Sequence, residues 1–244
     1  MLLSEERAAL AEAGRRLAAR GLVIGSSGNL SARAGDLVAV TPTGGVIGEL
    51  TAEQMTVISL ADGAVVDGEL APTSEVPLHL AVYRATGTAA IAHTHATTST
   101  AIGLIADEIP LVHYAMLSLG GAVRVADYAC YGTEQLAAHV VRALEFKQAA
   151  LMRNHGSIAL GSTLAKALDN LELCEWAAQT YHQALLASAV TGRAPRELTQ
   201  AEQEEVIIAA LTSGYGTTKK IAGDEDADAP APAAQVHDEP QQGN

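Results

Sequence analysis

Apolar positions along this chain alternate between a helical and a strand-like period, which predicts helices interleaved with strands. Ser4 precedes Glu5-Glu6-Arg7, with Leu10, Ala13 and Leu17 at helical spacing and Gly21 beyond them, so a Ser4-capped amphipathic helix is expected. Strand-like runs cover residues 37–41, 55–60, 64–67 and 89–94. Val65-Val66-Asp67-Gly68 ends in an Asp-Gly pair that predicts a hairpin turn. Helical spacing returns over 77–83, 97–104 and 133–144, followed by short strands at 149–152 and 158–160. The longest helix is expected over 164–189 and a last one over 200–211. No repeat or linker interrupts the pattern, so a single α/β domain is expected over 1–222. From 223 to 244 the bias to Asp, Ala, Pro and Gln predicts a disordered acidic tail.

Composition narrows this picture. A chain of 244 residues lies near the upper end of single-domain size and can bury a sizeable core. Apolar residues make up 48% but aromatic ones only 3%, so Ala, Val, Leu and Ile must build that core. Net charge is −13 without any Lys/Arg run, which argues against nucleic acid as a partner. Part of that charge sits beyond Lys220, where Asp224, Glu225, Asp226, Asp228, Asp238 and Glu239 have no basic neighbour. An anionic substrate must therefore be held by local donors and a metal rather than by bulk charge. Cys130 and Cys174 form no disulfide framework, and both are expected to act as small apolar residues in a reducing compartment. The N-terminus has no basic region followed by an apolar one, so no secretion signal is read. No apolar stretch reaches the roughly 20 residues that span a bilayer. The expectation is a soluble cytoplasmic protein with no membrane partner.

The candidate chemistry centres on histidine. His93 and His95 stand at i and i+2 on an extended segment and so project from one face. His155, on a later strand end, would complete three nitrogen donors, which suits a catalytic zinc that keeps a coordination position open. Three loops supply donors of another kind. Ser26-Ser27-Gly28-Asn29-Leu30-Ser31 offers backbone N–H groups, an amide and hydroxyls to an anion. Thr41-Pro42-Thr43-Gly44-Gly45 follows the apolar run Leu37-Val38-Ala39-Val40 and offers the same. Pro72-Thr73-Ser74-Glu75 opens a helix-like stretch through His79 and Tyr83, where hydroxyls beside a helix N-terminus can hold a phosphate. Gly28, Asn29, Thr43, Gly44, Thr73 and Ser74 are thus the expected phosphate site.

Ser27-Gly28-Asn29, Thr43-Gly44, Ser74-Glu75, His93-Thr-His95 and Asn154-His155-Gly156 occur in the order of the class II aldolase/adducin family, which the chain resembles over roughly residues 5 to 220. Within that family the likeness is to the fuculose 1-phosphate aldolases. It extends to Ile109-Pro-Leu-Val-His-Tyr114, to Tyr128-Ala-Cys-Tyr131-Gly132-Thr133 and to Tyr215-Gly216. The resemblance implies an α/β/α sandwich around a central, mainly antiparallel sheet. It implies zinc-dependent cleavage of a ketose 1-phosphate (L-fuculose 1-phosphate or a related 5-deoxyketose 1-phosphate) into dihydroxyacetone phosphate and a small aldehyde, through a metal-stabilised enediolate. In that scheme His93, His95 and His155 hold one Zn²⁺ per subunit, joined by Glu75 until substrate displaces it. Glu75 then moves a proton at C3. Tyr114 is implied to enter the site from a neighbouring subunit of a homotetramer and to act as a general acid, Tyr215 to close over the site, and Tyr131 to form an aromatic wall beside the aldehyde.

Departures limit the transfer. Thr73 stands where a serine is common, Arg124-Val125-Ala126-Asp127 replaces a more apolar, proline-containing segment, and the acidic tail has no counterpart. Other readings of the same fold are a methylthioribulose-phosphate dehydratase and a phosphopentulose 4-epimerase, in which an Asp stands at the position of Glu75. A further one is an adducin-like interaction module without metal, against which all three histidines and Glu75 argue.

Overall fold

The computed structural model describes residues 1–213. Residues 1–207 form one compact unit, and 208–213 are the last residues of the final helix. The expected 222/223 boundary and the acidic tail lie outside the described residues.

The chain runs α1 (Ser4–Ala19), β1 (Asn29–Ala34), β2 (Leu37–Val40), β3 (Thr56–Ser59), β4 (Val65–Asp67), α2 (Val76–Thr86), β5 (Ala90–Thr94), α3 (Thr97–Ile105), β6 (Glu108–Ile109), β7 (Val123–Ala126), α4 (Glu134–Ala143), β8 (Ala149–Met152), β9 (Gly156–Gly161), α5 (Leu164–Thr191) and α6 (Gln200–Ser213). The strands make one sheet in the order β4-β3-β2-β1-β5-β9-β8-β7-β6. Every pairing is antiparallel except β7 with β8, so the mainly antiparallel central sheet is as expected.

The period-2 alternation of the strands sorts their side chains onto two faces. Leu30, Ala32, Ala39, Val57, Ala90, Ala92, Leu151 and Ala159 belong to a core shared with α1, α3 and α5. Val38, Val40, Ile58, Ile91, Met152 and Ile158 face a second core shared with α2 and α4. Small alanines on the first face let α5 lie close to the sheet, which suits a composition poor in aromatics.

Several expectations change. Ser4 does not cap α1 but begins it; Leu3 holds the N-cap position with φ 51, and no side chain caps the helix. Burial of Leu3 against the core takes precedence over a hydroxyl cap. The hairpin between β3 and β4 turns at the other Asp-Gly pair, Asp62-Gly63, where Asp62 accepts from the Ala64 amide at 3.1 Å and Gly63 has φ 78. Asp67 instead accepts from the Arg7 guanidinium at 2.8 Å and from the Leu2 amide at 2.6 Å, tying the start of α1 to the sheet edge. Three strands, β1, β6 and β7, lie where no strand was expected. Cys174 is buried, but Cys130 is exposed because it sits in the loop between Tyr128 and Tyr131.

Candidate active site

Sheet register assembles the site. On β1 and β5, Asn29 stands opposite His93 and Ser31 opposite Ile91, so Asn29, Ser31 and His93 share the face that carries α2. His95 follows one residue after β5 ends, with the same parity as His93. His155 comes from the three-residue turn joining β8 to β9, in which Met152 pairs with Gly156. Each residue of the Asn154-His155-Gly156 motif answers a local demand. Asn154 takes the left-handed conformation at φ 55, which asparagine tolerates better than most residues. At Gly156 an added Cβ would lie 2.3 Å from the Thr94 carbonyl oxygen, so only glycine lets the turn approach β5. Gly28 has φ 88, and a Cβ there would meet the His93 carbonyl oxygen at 2.5 Å.

The result is three imidazoles whose ring centroids are 4.8–4.9 Å apart and whose donor nitrogens all lie within 4.8 Å of one another. His93 Nδ1 lies 2.8 Å from the Ser157 carbonyl oxygen, to which it donates, so in the neutral ring Nε2 carries the lone pair. That Nε2 points at His95 Nε2, 3.1 Å away, and at Glu75 Oε2, also 3.1 Å away. Glu75 Oε1 lies 3.5 Å from His155 Nε2 and is buried without a hydrogen-bond partner. Three nitrogen donors converging beside an orphaned carboxylate oxygen fit a divalent cation.

Electrostatics agree with that fit. Burial opposes the charge on Glu75, but His93, His155 and the Asn29 amide outweigh it and hold the carboxyl well below the usual carboxylate range. Burial likewise works against protonating His93, yet the charge and hydrogen bond of Glu75 raise it. Burial and the charge of His93 push His95 and His155 down to about 4. His95 and His155 are thus disposed to stay neutral, the form in which an imidazole can bind a cation.

Above the cluster opens a cavity of about 390 Å³, with Glu75, His95 and His155 in its wall. Ser26, Ser27, Gly28 and Asn29 form one side, Pro42, Thr43 and Gly44 a second, and Thr73 and Ser74 a third. Backbone bonds tie these loops together: Thr43 N to Ala71 O at 3.0 Å and Thr73 N to Thr41 O at 3.0 Å. Thr41 itself is buried, its hydroxyl accepting from the Leu30 amide at 3.1 Å. No lining residue in this part of the wall carries charge, so an anion there must be held by neutral donors.

The helix N-terminus contributes less than expected. α2 starts only at Val76; the Glu75 amide already donates to Thr73 Oγ1, the Val76 amide to Thr73 O, and Pro77 has no N–H. The loop amides and hydroxyls line the rest of this wall. Asn29, which lines the cavity, also donates from its amide nitrogen to Glu75 Oε2 at 2.8 Å.

Tyr128, Ala129 and Tyr131 line the cavity's remaining side, with both tyrosines largely exposed. Tyr114 does not line this cavity; it begins the short 3₁₀ helix Tyr114–Leu119, and its ring packs on His113 at 4.4 Å. His113 packs edge-on to Trp176 at 4.8 Å and accepts from the Ala115 amide. Tyr215 lies outside the described residues. The largest omission of the sequence reading is the role of His79, fully buried between Asn29 and Ser31, with Tyr83 beyond Ser31. Glu75, His79 and Tyr83 recur every four residues along this segment, which puts them on one face but does not say what they meet there.

Comparison with known proteins supplies the context. The chain is 34% identical over 219 residues to the 5-deoxy-D-ribulose 1-phosphate aldolase of Bacillus thuringiensis serovar kurstaki, covering 88% of this chain and 99% of that one. It is 34% identical over 198 residues to the L-fuculose phosphate aldolase of Escherichia coli K12, covering 80% and 88%. A solved L-fuculose 1-phosphate aldolase superposes with a TM-score of 0.79 at 32% identity, over 88% of this chain and 99% of that one. Residues 8–182 match the family described as Class II Aldolase and Adducin N-terminal domain. The chain belongs to this class II aldolase/adducin family.

Proposed function

We infer that the chain is a class II aldolase, a metal-dependent lyase of carbohydrate metabolism, and propose that it cleaves L-fuculose 1-phosphate or a related 5-deoxyketose 1-phosphate into dihydroxyacetone phosphate and a small aldehyde. One observation carries this reading: three imidazoles and a carboxylate with an orphaned oxygen meet beside a cavity otherwise lined by uncharged residues, many of them hydrogen-bond donors. His93, His95 and His155 would hold a cation, zinc in our proposal, which would supply Lewis acidity. Gly28, Asn29, Thr43, Gly44, Thr73 and Ser74 hold the phosphate through neutral hydrogen bonds, Asn29 also reaching Glu75.

Glu75 is the proton carrier at C3. In the condensation direction its carboxylate removes a proton from C3 of dihydroxyacetone phosphate, and in cleavage it returns one there after the C3–C4 bond breaks. His93, His155 and Asn29 favour the ionised form of Glu75, the form a base must take, while lowering its basicity. The aldehyde oxygen needs a second proton carrier, and the cavity of a single chain lacks Tyr114. We propose that Tyr114 of a neighbouring subunit fills this role in a homotetramer and that Tyr215 closes over the bound substrate. Tyr128 and Tyr131 suit the short, apolar tail of a deoxy sugar. No described helix is long and apolar enough to cross a membrane, which accords with our placing the enzyme in the cytoplasm.

Measuring dihydroxyacetone phosphate release from phosphorylated and unphosphorylated ketoses tests this reading. Only the phosphorylated sugar should react well, and Ser74→Ala should raise its KM without removing metal. Equal reaction of the unphosphorylated ketose would show the anion pocket to be misassigned. Release of water from the ketose in place of carbon–carbon cleavage would mean a dehydratase.

A further inference from the structure

Behind Glu75 a chain of buried hydrogen bonds runs from Asn29 to Tyr83. Tyr83 OH lies 2.7 Å from Ser31 Oγ, and Ser31 Oγ lies 2.7 Å from His79 Nδ1. His79 Nε2 contacts Asn29 Oδ1 at 2.5 Å, and Asn29 Nδ2 donates to Glu75 Oε2 at 2.8 Å. Asn29, Ser31, His79 and Tyr83 are all buried, so each polar atom needs its partner.

Only one direction satisfies every atom. A carboxylate accepts only, so the Asn29 amide must turn its NH₂ toward Glu75 and its oxygen toward His79. That oxygen requires a proton on His79 Nε2. In a neutral ring Nδ1 is then an acceptor, which Ser31 O–H supplies, while Ser31 Oγ accepts from Tyr83 O–H. Turning the amide round would set its oxygen against Glu75 Oε2 and its NH₂ against the His79 N–H.

We propose that His79 is a positioning residue for the aldolase reaction: through Asn29 it fixes Glu75 with Oε2 pinned and Oε1 left unbonded toward His155. This rests on the reading of Glu75 as the proton carrier. The device orients a carboxylate from outside the reacting atoms, and Ser31 and Tyr83 lock the imidazole tautomer that makes the orientation possible. Placement on α2 explains how it is built. Glu75 and His79 are one helical turn apart, while Asn29 and Ser31 lie two residues apart on β1, so helix and strand repeats mesh.

Histidine-selective ¹⁵N–¹H spectra of the full chain, metal-free and zinc-loaded at pH 7, test the tautomer without reference to activity. The proposal requires His79 protonated at Nε2 and bare at Nδ1. A ring protonated at Nδ1 alone, or at both nitrogens, would overturn it. Kinetics test the consequence. His79→Gln can place its side-chain NH₂ near the Nε2 position, whereas His79→Asn is too short to reach Asn29. Relative to wild type, His79→Asn should retain zinc and lose kcat by roughly 10–100-fold with little change in KM. His79→Gln should recover most of that loss at similar thermal stability. In an Asn29→Ala background His79→Asn should have little further effect, because the two act in series. Equal impairment of the Gln and Asn variants, or independent losses in the double variant, would reduce His79 to a packing residue. Should the ketose phosphate prove the wrong substrate, kinetics fall silent for every variant while the spectra still decide the tautomer.

Discussion

At His93 three demands meet in one side chain: full burial, a fixed tautomer and a place in the strand ladder. The i, i+2 spacing made the pair with His95 legible in the sequence, since strand periodicity alone puts both on one face. His155 was read as a third donor from a later strand end, but its distance depends on a β8–β9 turn close enough to touch Thr94. Replacing His93, His95 or His155 singly with Ala should strip the divalent ion, as read by elemental analysis. Wild-type metal content in all three variants would refute the ligand set. His79 was not legible as a functional residue, because its meaning comes from neighbours 48 and 50 positions away. Its burial has a pH signature. Burial pushes His79 from 6.5 down to about 4, so the unfolded chain takes up a proton before the folded one does. The metal-free protein should therefore lose stability as pH falls from 6.5 toward 4, and His79→Gln should flatten that slope. Urea unfolding across this range is the check; identical slopes in both proteins would contradict it.

Among the elements, the strands divide into those that hydrophobic pattern could find and those it could not. β2, β3 and β5 are apolar enough to read directly. β1 is not, because Asn29, Ser31 and Arg33 occupy alternate positions, and two of these are spent on hydrogen bonds around the site. A strand that serves the site on one face and the core on the other looks like a polar loop in sequence. β6 is only two residues long and β7 four, too short for a pattern to register. The turn between β8 and β9 yields the clearest test at this scale. Gly156→Ala places a methyl group against the Thr94 carbonyl and within 3.0 Å of the His95 ring. The variant should lose about 1–3 kcal/mol of stability, as overpacked sites do, and should bind metal poorly because His95 and His155 are forced apart. Calorimetry and metal titration of the same sample would show it; wild-type values for both would mean the turn yields freely.

For the molecule as a whole, alternating helix and strand patterns indicated an α/β domain, but no pattern specified the strand order or the antiparallel pairing. The mainly antiparallel pairing came from the family resemblance and the strand order only from the structure, because register between distant strands leaves no local mark. The resemblance likewise implied an oligomer, and its proposed role for Tyr114 is testable in solution. Tyr114→Phe and Glu75→Gln should each be inactive in cleavage, by roughly a hundredfold or more for loss of the proton donor. Tyr114→Phe should still exchange the C3 proton of dihydroxyacetone phosphate, whereas Glu75→Gln should not. Mixing the two and allowing subunits to exchange should restore part of the activity, because some sites would pair an intact Glu75 with an intact Tyr114. No recovery after proven exchange would place Tyr114 outside the reaction or within its own chain.

The central claim is that this histidine cluster holds the metal on which aldol cleavage depends. The direct measurement is to strip the protein of metal, add Zn²⁺ in steps, and follow dihydroxyacetone phosphate release from a 5-deoxyketose 1-phosphate. Activity should rise linearly and level off at about one ion per chain, as three protein ligands with an open position require, and His95→Ala should stay inactive throughout. Full cleavage activity in the stripped protein, or zinc-restored activity in His95→Ala, would contradict the account.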